Sequence, residues 1–272
     1  GGGRQILVCA QSNAAVDELV ARISQQGVFG RDGRSWVPSI VRVGMFSSLA
    51  DTSRACHIDT LLDKRMAVGP SAAGPGAGGA AAGADARAQC TVLRSALDAV
   101  MQQIRSLAAP ALAPEEGELQ PEAGPAGDLE ALHTRKREIF AKLEAAQGRE
   151  REARQATSAR RSEMKAQILA SADVILATLS GCGGDPFQRS RLRFPFVIID
   201  EAAQATEPAA LIPLQRLARG GRLCLVGDPK QLPATVLSRV ASERRFEQSL
   251  FERLQRAGLP VSMLSTQFRM HP

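Results

Sequence analysis

Short apolar runs bounded by polar residues recur along this chain. Gln5 to Ala10 (QILVCA) is the first, and its unbroken apolarity predicts a strand buried on both faces. A helix is expected next: Ser12 and Asn13 can cap it, and Ala15, Leu19 and Ile23 recur at intervals of four along one face. Ile40 to Val43 forms another short strand after a Gly-rich turn. Much later the pattern resumes, with β-rich runs Asp173 to Thr178, Phe196 to Asp200 and Arg222 to Val226 separated by helical or turn segments. This alternation predicts an α/β fold with a parallel sheet covered by helices. In such folds ligands sit beyond the carboxyl ends of the strands, and here the residues just after each run are the polar ones.

The intervening stretch is longer than any connection a compact α/β unit needs. It divides the chain into residues 1–68, an insertion over 69–168, and residues 169–272. Gly69 to Ala84 is nearly all Gly, Ala, Pro and Ser, too poor in apolar bulk to offset chain entropy, and is expected to be a disordered loop. Leu93, Leu97, Val100, Ile104 and Leu107 are then spaced 4, 3, 4, 3, which places them on one helical seam and predicts a partner helix. After a Pro/Gly/Glu-rich break from Ala108 to Asp128, Leu129, Leu132, Ile139 and Leu143 repeat the seam with Lys136 interrupting it. An antiparallel helical hairpin projecting from the main domain is the simplest arrangement. Leu129 to Lys165 carries ten Lys/Arg against six Glu, a charge excess that suits either a solvated helix face or contact with phosphates.

Composition narrows the picture only a little. At 272 residues, with 44% hydrophobic and 23% charged positions, the chain can bury a real core. The net charge of +6 suits a polyanion partner without requiring one. Five cysteines are scattered with no CxxC pair and no nearby His cluster, a pattern of a reducing compartment rather than of a zinc site or disulfide framework. No apolar run approaches the roughly 20 residues that span a bilayer. The opening GGGRQILVCA lacks the order of a signal peptide and an initiator Met, running from three glycines straight into a strand, and the chain stops on QFRMHP, so both ends look cut.

Two segments carry candidate chemistry. FVIIDEAAQ sets Asp200 and Glu201 where an apolar strand emerges from its sheet, with Gln204 on the ensuing turn. Such a pair can serve a magnesium ion and an attacking water, although an apolar strand ending in Asp-Glu can also be a plain solvent-facing terminus. RLCLVGDPKQLPATV ends in Gly227, Asp228, Pro229, Lys230, Gln231, Leu232 and Pro233, a tight turn that would expose Gln231 beside the preceding carboxylates. An uncharged amide there can sense a γ-phosphate or its attacking water. Among the rest, His57 and His133 are expected at the surface, His271 as a brace for its segment, and Trp36 as core or loop packing.

With QSNAAVDEL, ATLSG and QFRMHP found in order around these two segments, the sequence resembles the superfamily 1B helicases of the senataxin and nonsense-mediated-decay group, nearest to the senataxin-like branch. The resemblance covers nearly everything except the insertion. It implies a RecA-like P-loop NTPase domain, the first of two, using ATP and Mg²⁺. In the family's pattern Asp200 coordinates Mg²⁺, Glu201 activates water, Gln204 lies at the nucleotide, Gln231 couples the γ-phosphate to the strand-binding surface, and Arg269 meets the phosphates. Phe268 would stack on adenine, where the family usually has Tyr and so gains a hydroxyl. Ser12 and Asn13 at a helix start, Thr178 and Ser180 at a Gly-rich bend, and Pro233 would face single-stranded RNA or DNA, although ordinary capping and turn chemistry also accounts for the hydroxyls. Gln11 replaces the family's usual Pro. No GxxxxGK[ST] loop occurs, and the family's loop and second motor domain would lie upstream and downstream. The resemblance therefore implies part of a 5′-to-3′ helicase acting on RNA or an RNA/DNA hybrid, nuclear or alternatively cytoplasmic, with protein partners unspecified and little ATP turnover in these residues alone. A nucleic-acid-binding scaffold remnant of such a helicase is the alternative.

Overall fold

A computed structural model of the chain describes residues 5–30, 32–68, 77–108 and 126–266. The chain divides into two compact units, Gly1–Gly69 with Ser162–Pro272, and Pro70–Arg161.

In chain order the first unit begins with β1 (Ile6–Ala10), α1 (Asn13–Gln26), a small antiparallel hairpin of β2 (Val28–Phe29) and β3 (Ser35–Trp36), then β4 (Ile40–Val43), α2 (Asp51–Arg54) and α3 (Ile58–Val68). The insertion contributes α4 (Ala77–Ala108) and α5 (Ala126–Ser171). After it come β5 (Val174–Thr178), α6 (Asp185–Ser190), β6 (Phe194–Ile199), α7 (Glu207–Leu214), β7 (Leu217–Leu225), α8 (Arg239–Glu243) and α9 (Leu250–Arg256). Five of the strands form one parallel sheet in the order β4-β5-β1-β6-β7. The α/β class with a parallel, helix-covered sheet is as the alternation predicts.

The unbroken apolarity of the central strands follows from burial on both faces. On one face Leu7, Cys9, Ile175, Ala177, Val197 and Ile199 pack with Ile58 and Leu62 of α3, Phe187 of α6, Ala210 of α7 and Leu250 of α9. On the other, Val8, Ala10, Val174 and Leu176 meet Val16 and Val20 of α1, with Ala15, Leu19 and Ile23 against the rim of that cluster. Helix α1 starts where expected: the Ser12 hydroxyl accepts from the Ala15 amide at 3.1 Å, and Gly27 ends it at a positive φ of 69° that glycine adopts without strain, its N–H donating to the Ile23 carbonyl. β7 begins five residues earlier than the apolar run, at Leu217, because its extension pairs with Phe194 across a register shift. It is an edge strand, and none of its residues is fully buried; from Gly220 to Leu225 they alternate between exposed and half-buried.

The insertion forms two helices. Arg87 bonds Glu150 at 3.2 Å, Arg149 bonds Gln89 at 2.9 Å, and Cys90, Leu93 and Leu97 pack with Leu143 and Ala146, which makes α4 and α5 antiparallel. Val100 and Ile139 are buried along the same seam, whereas Leu107, expected on it, is exposed. Helix α4 begins at Ala77, inside the run expected to be disordered; alanine is the strongest helix former, and it extends the helix upstream of the leucine seam. The remainder of that run, 69–76, and the break over 109–125 lie outside the described residues. Helix α5 continues to Ser171 in the first unit, where Ile168 and Leu169 enter the core. The buried Gln5 side chain donates to the carbonyls of Leu169 (2.8 Å) and Ala172 (2.7 Å), satisfying acceptors that the helix end leaves open. Among the described residues no helix is long and apolar enough to cross a membrane.

Candidate functional site

Parallel pairing gathers the carboxyl ends of four strands along one sheet edge. Ala10 of β1 is in register with Thr178 of β5, Cys9 with Ile199 of β6, and Ile199 with Leu225 of β7. Every strand-end residue singled out by the sequence therefore emerges on this edge.

The Asp200–Glu201 turn is held from both sides. The Asp200 amide donates to the Cys9 carbonyl at 2.7 Å, extending the β1–β6 ladder by one residue. Glu201 then adopts a left-handed conformation, φ 51° and ψ 38°, costing about 1–2 kcal/mol for a residue with a Cβ. Contacts immediately after it offset that cost: the Ala202 amide donates to the Val226 carbonyl at 2.8 Å, and Ala202 and Ala203 of the short 3-10 turn Ala202–Gln204 are buried. The left-handed residue breaks the strand's alternation between faces at the point where two successive carboxylates emerge. Gly227 completes the junction. A Cβ at that position would lie 2.9 Å from the Ala203 amide nitrogen and 3.2 Å from that of Ala202, so only glycine lets the GDPKQ loop close on the DEAAQ turn.

Both carboxylates are half-buried. Among the described residues the Asp200 carboxylate has no hydrogen-bond or ion-pair partner, and the Glu201 carboxylate has one, the Gln204 side-chain amide at 3.1 Å from Oε2. Neither has a Lys or Arg partner among those residues. Gln231 is exposed and turns back on its own loop, its backbone N–H donating to the Asp228 carbonyl at 3.1 Å and its side-chain amide to Asp228 Oδ2 at 3.4 Å. Pro233 is exposed farther along the same loop. Phe268 and Arg269 lie outside the described residues.

On the other side of β1, Ser12 spends its hydroxyl on capping α1, and Thr178 accepts from the Gly181 amide at 3.1 Å, so these two hydroxyls do serve turn chemistry. Ser180 is exposed, and the Leu179 amide bonds the Ala10 carbonyl at 3.0 Å, tying its turn to the Ser12 segment. Beneath them Cys9 and Cys182 bring their Sγ atoms to 3.3 Å; burial, and then the neighbouring thiol, push Cys9 well above the ordinary thiol range. The Glu207 carboxylate in the first turn of α7 accepts two hydrogen bonds from Arg253 of α9, at 2.8 and 2.7 Å, which lower its pKa.

Sequence reading missed one cluster. Asp17, Arg42 and His57 are all buried, and His57, expected at the surface, is fully enclosed. The reason is a bridge between Arg42 and His57 that folds the chain after α2 back over β4, with His57 Nε2 2.9 Å from the Gly44 carbonyl. A charged residue inside the apolar strand IVRV was the available signal. Trp36 sits on the β2–β3 hairpin, half exposed.

Residues 1–239 match a family model described as an AAA domain. Helicase SEN1 of Saccharomyces cerevisiae is 34% identical over 99% of this chain, which spans 12% of that protein. The probable helicase senataxin of Mus musculus is 30% identical over 98% of this chain, which spans 10% of it. A 5′-3′ DNA helicase of Mus musculus, ZGRF1, is 50% identical over 30% of this chain and 4% of its own length.

Proposed function

The chain belongs to the AAA domain family, in its senataxin-like superfamily 1 helicase group, and from that premise we propose that it is part of an ATP-dependent motor that translocates 5′ to 3′ on RNA or on an RNA/DNA hybrid. The observation that carries this reading is the pair of half-buried carboxylates at the end of β6, Asp200 and Glu201, with no cationic partner among the described residues. Among those residues no group of three or more His, Cys, Asp or Glu is arranged to hold a metal. The Asp200–Glu201 pair is what suits magnesium, which takes one or two carboxylates together with substrate phosphates and waters rather than an all-protein cage. Bound magnesium would supply charge neutralisation at the ATP phosphates. Asp200 would hold the ion. Glu201, oriented by Gln204, would align the attacking water and accept its proton. Gln231 would leave Asp228 to meet the γ-phosphate, while Arg269 and Phe268 would hold the nucleotide. Ser12, Asn13, Thr178, Ser180 and Pro233 would line the path of the single strand, their contacts coming from backbone and amide groups where the hydroxyls are already engaged. The 5′-3′ direction of the mouse helicase ZGRF1 supports the polarity, and likeness to the senataxin branch supports a nuclear location.

The test is Glu201→Gln in the full-length protein. Loss of a general base typically costs a factor of about 10²–10⁴, so ATP hydrolysis should fall at least about 100-fold while nucleotide binding persists. Turnover at the wild-type rate would overturn the assignment. Unwinding of duplexes with a single 5′ or 3′ tail reads the polarity independently, and activity confined to 3′ tails would refute the proposed direction.

A further inference from the structure

Arg42 is fully buried on β4, an expensive place for a charge unless every contact is used. Its guanidinium donates to Asp17 Oδ1 at 3.0 Å, to Asn13 Oδ1 at 2.8 Å and to the Val43 carbonyl at 2.5 Å. Gly44 makes room for it, since a Cβ there would stand 2.9 Å from Arg42 Nη1. Asp17 in turn accepts from the Ala50 amide through Oδ2 at 2.9 Å. An apolar side chain would satisfy packing at this position at no electrostatic cost, so the ion pair calls for another reason.

A guanidinium has donors alone, so any amide beside it must present its oxygen. Asn13 therefore has one allowed orientation: Oδ1 inward to Arg42, and the NH₂ group outward. One hydrogen of that group is used by Ser48 Oγ at 3.2 Å, and Ser48 is itself held by the Met45 carbonyl at 2.9 Å. The second has no partner among the described residues. We propose that Arg42 is a positioning residue for the nucleic-acid strand: it locks the Asn13 amide so that a hydrogen-bond donor, and not an acceptor, faces the phosphate backbone at the start of α1. This inference rests on the proposed role of Asn13 as a strand contact. An anion meets an outward donor favourably and an outward carbonyl oxygen unfavourably, so the buried guanidinium chooses between binding and repulsion without touching the strand.

The experiment measures the affinity of the full-length protein for a fluorescent oligouridylate by anisotropy, well below the melting temperature, for Asn13→Ala, Arg42→Lys and the double variant. Lysine keeps the charge opposite Asp17 but offers one ammonium where the guanidinium spans three acceptors. Asn13→Ala should weaken binding about five- to tenfold, the worth of one hydrogen bond. Arg42→Lys should weaken it to a similar degree, and the double variant should bind no worse than Asn13→Ala alone. Full affinity in Arg42→Lys, or losses that multiply in the double variant, would overturn the proposal while leaving the strand contact standing. Full affinity in Asn13→Ala would remove the strand contact itself, and the proposal with it. Should Arg42→Lys fail to fold, Asn13→Asp decides: it still accepts from Arg42 but turns a carboxylate oxygen outward. It should bind more weakly than Asn13→Ala with an undiminished melting temperature, and affinity equal to or above that of Asn13→Ala would overturn the proposal.

Discussion

Replacing Gly227 by alanine presses a methyl group into a junction where the two site loops touch. The added Cβ would sit 2.9 Å from the Ala203 amide nitrogen, 3.2 Å from the Ala202 nitrogen and 3.3 Å from Ala203 Cβ. Ordinary contact requires these atoms to retreat by about half an ångström. They are atoms of buried residues, and the junction is pinned by two hydrogen bonds of 2.8 Å, Val226 amide to Ile199 carbonyl and Ala202 amide to Val226 carbonyl. Overpacking of this kind costs about 1–3 kcal/mol, and stretching the second hydrogen bond adds about 0.5–1.5 kcal/mol. For a domain of this size a loss of about 2–4 kcal/mol lowers the melting temperature by about 4–16 °C. The strained bond carries the turn that bears Glu201, so under the proposed role of that residue ATP hydrolysis should suffer beyond the stability loss. A displacement of this order typically costs about tenfold or more in turnover when a reacting group is moved. The assay is a thermal melt with steady-state ATPase of the full-length protein measured well below the transition, against Gly148→Ala as control. Gly148 lies in α5 with nothing within 4 Å of an added Cβ, and that change should stabilise by about 0.4–1 kcal/mol. A Gly227→Ala protein with both the wild-type melting temperature and the wild-type turnover would refute the argument.

Two further outcomes are expected. The Arg253 hydrogen bonds hold the Glu207 carboxyl below its ordinary range, so the stability this pair contributes is complete above the ordinary glutamate pKa and is lost as pH falls through the depressed folded value. Glu207→Gln should lower stability by about 0.5–1 kcal/mol at neutral pH, and the gap should close as the solution is acidified through that depressed value; a gap that stays constant over that range would contradict the assignment. In alkylation by iodoacetamide followed by peptide mass spectrometry, exposed Cys224 should react first, while Cys9, buried and with its thiol pKa raised, should react only on unfolding. Early labelling of Cys9 would refute its enclosure.

The apolar runs were enough to locate β1, β4, β5 and β6 to within two residues and to place the polar motifs at their carboxyl ends, because a strand buried on both faces admits hardly any polar side chain. The leucine seam similarly implied that α4 needs a partner helix. What the linear pattern could not carry was the meeting of distant segments. The start of α4 at Ala77 depends on helix propensity continuing beyond the apolar seam, which a reading of apolar bulk undervalues. The early start of β7 depends on pairing with Phe194, and the enclosure of His57 on a chain reversal over β4. Asp17 and Arg42 carry no mark of partnership in the linear sequence, and Asn13, legible as a cap or strand contact, gives no sign of its bond to Arg42 until helix and strand are brought face to face. Gly227 read as a turn residue, and the tertiary structure shows a close backbone approach. The hydrophobic pattern determined which segments are buried, since burial free energy is local to each side chain. Only the tertiary structure decided which polar groups face one another, since hydrogen bonds depend on the distance and direction between atoms far apart in the chain.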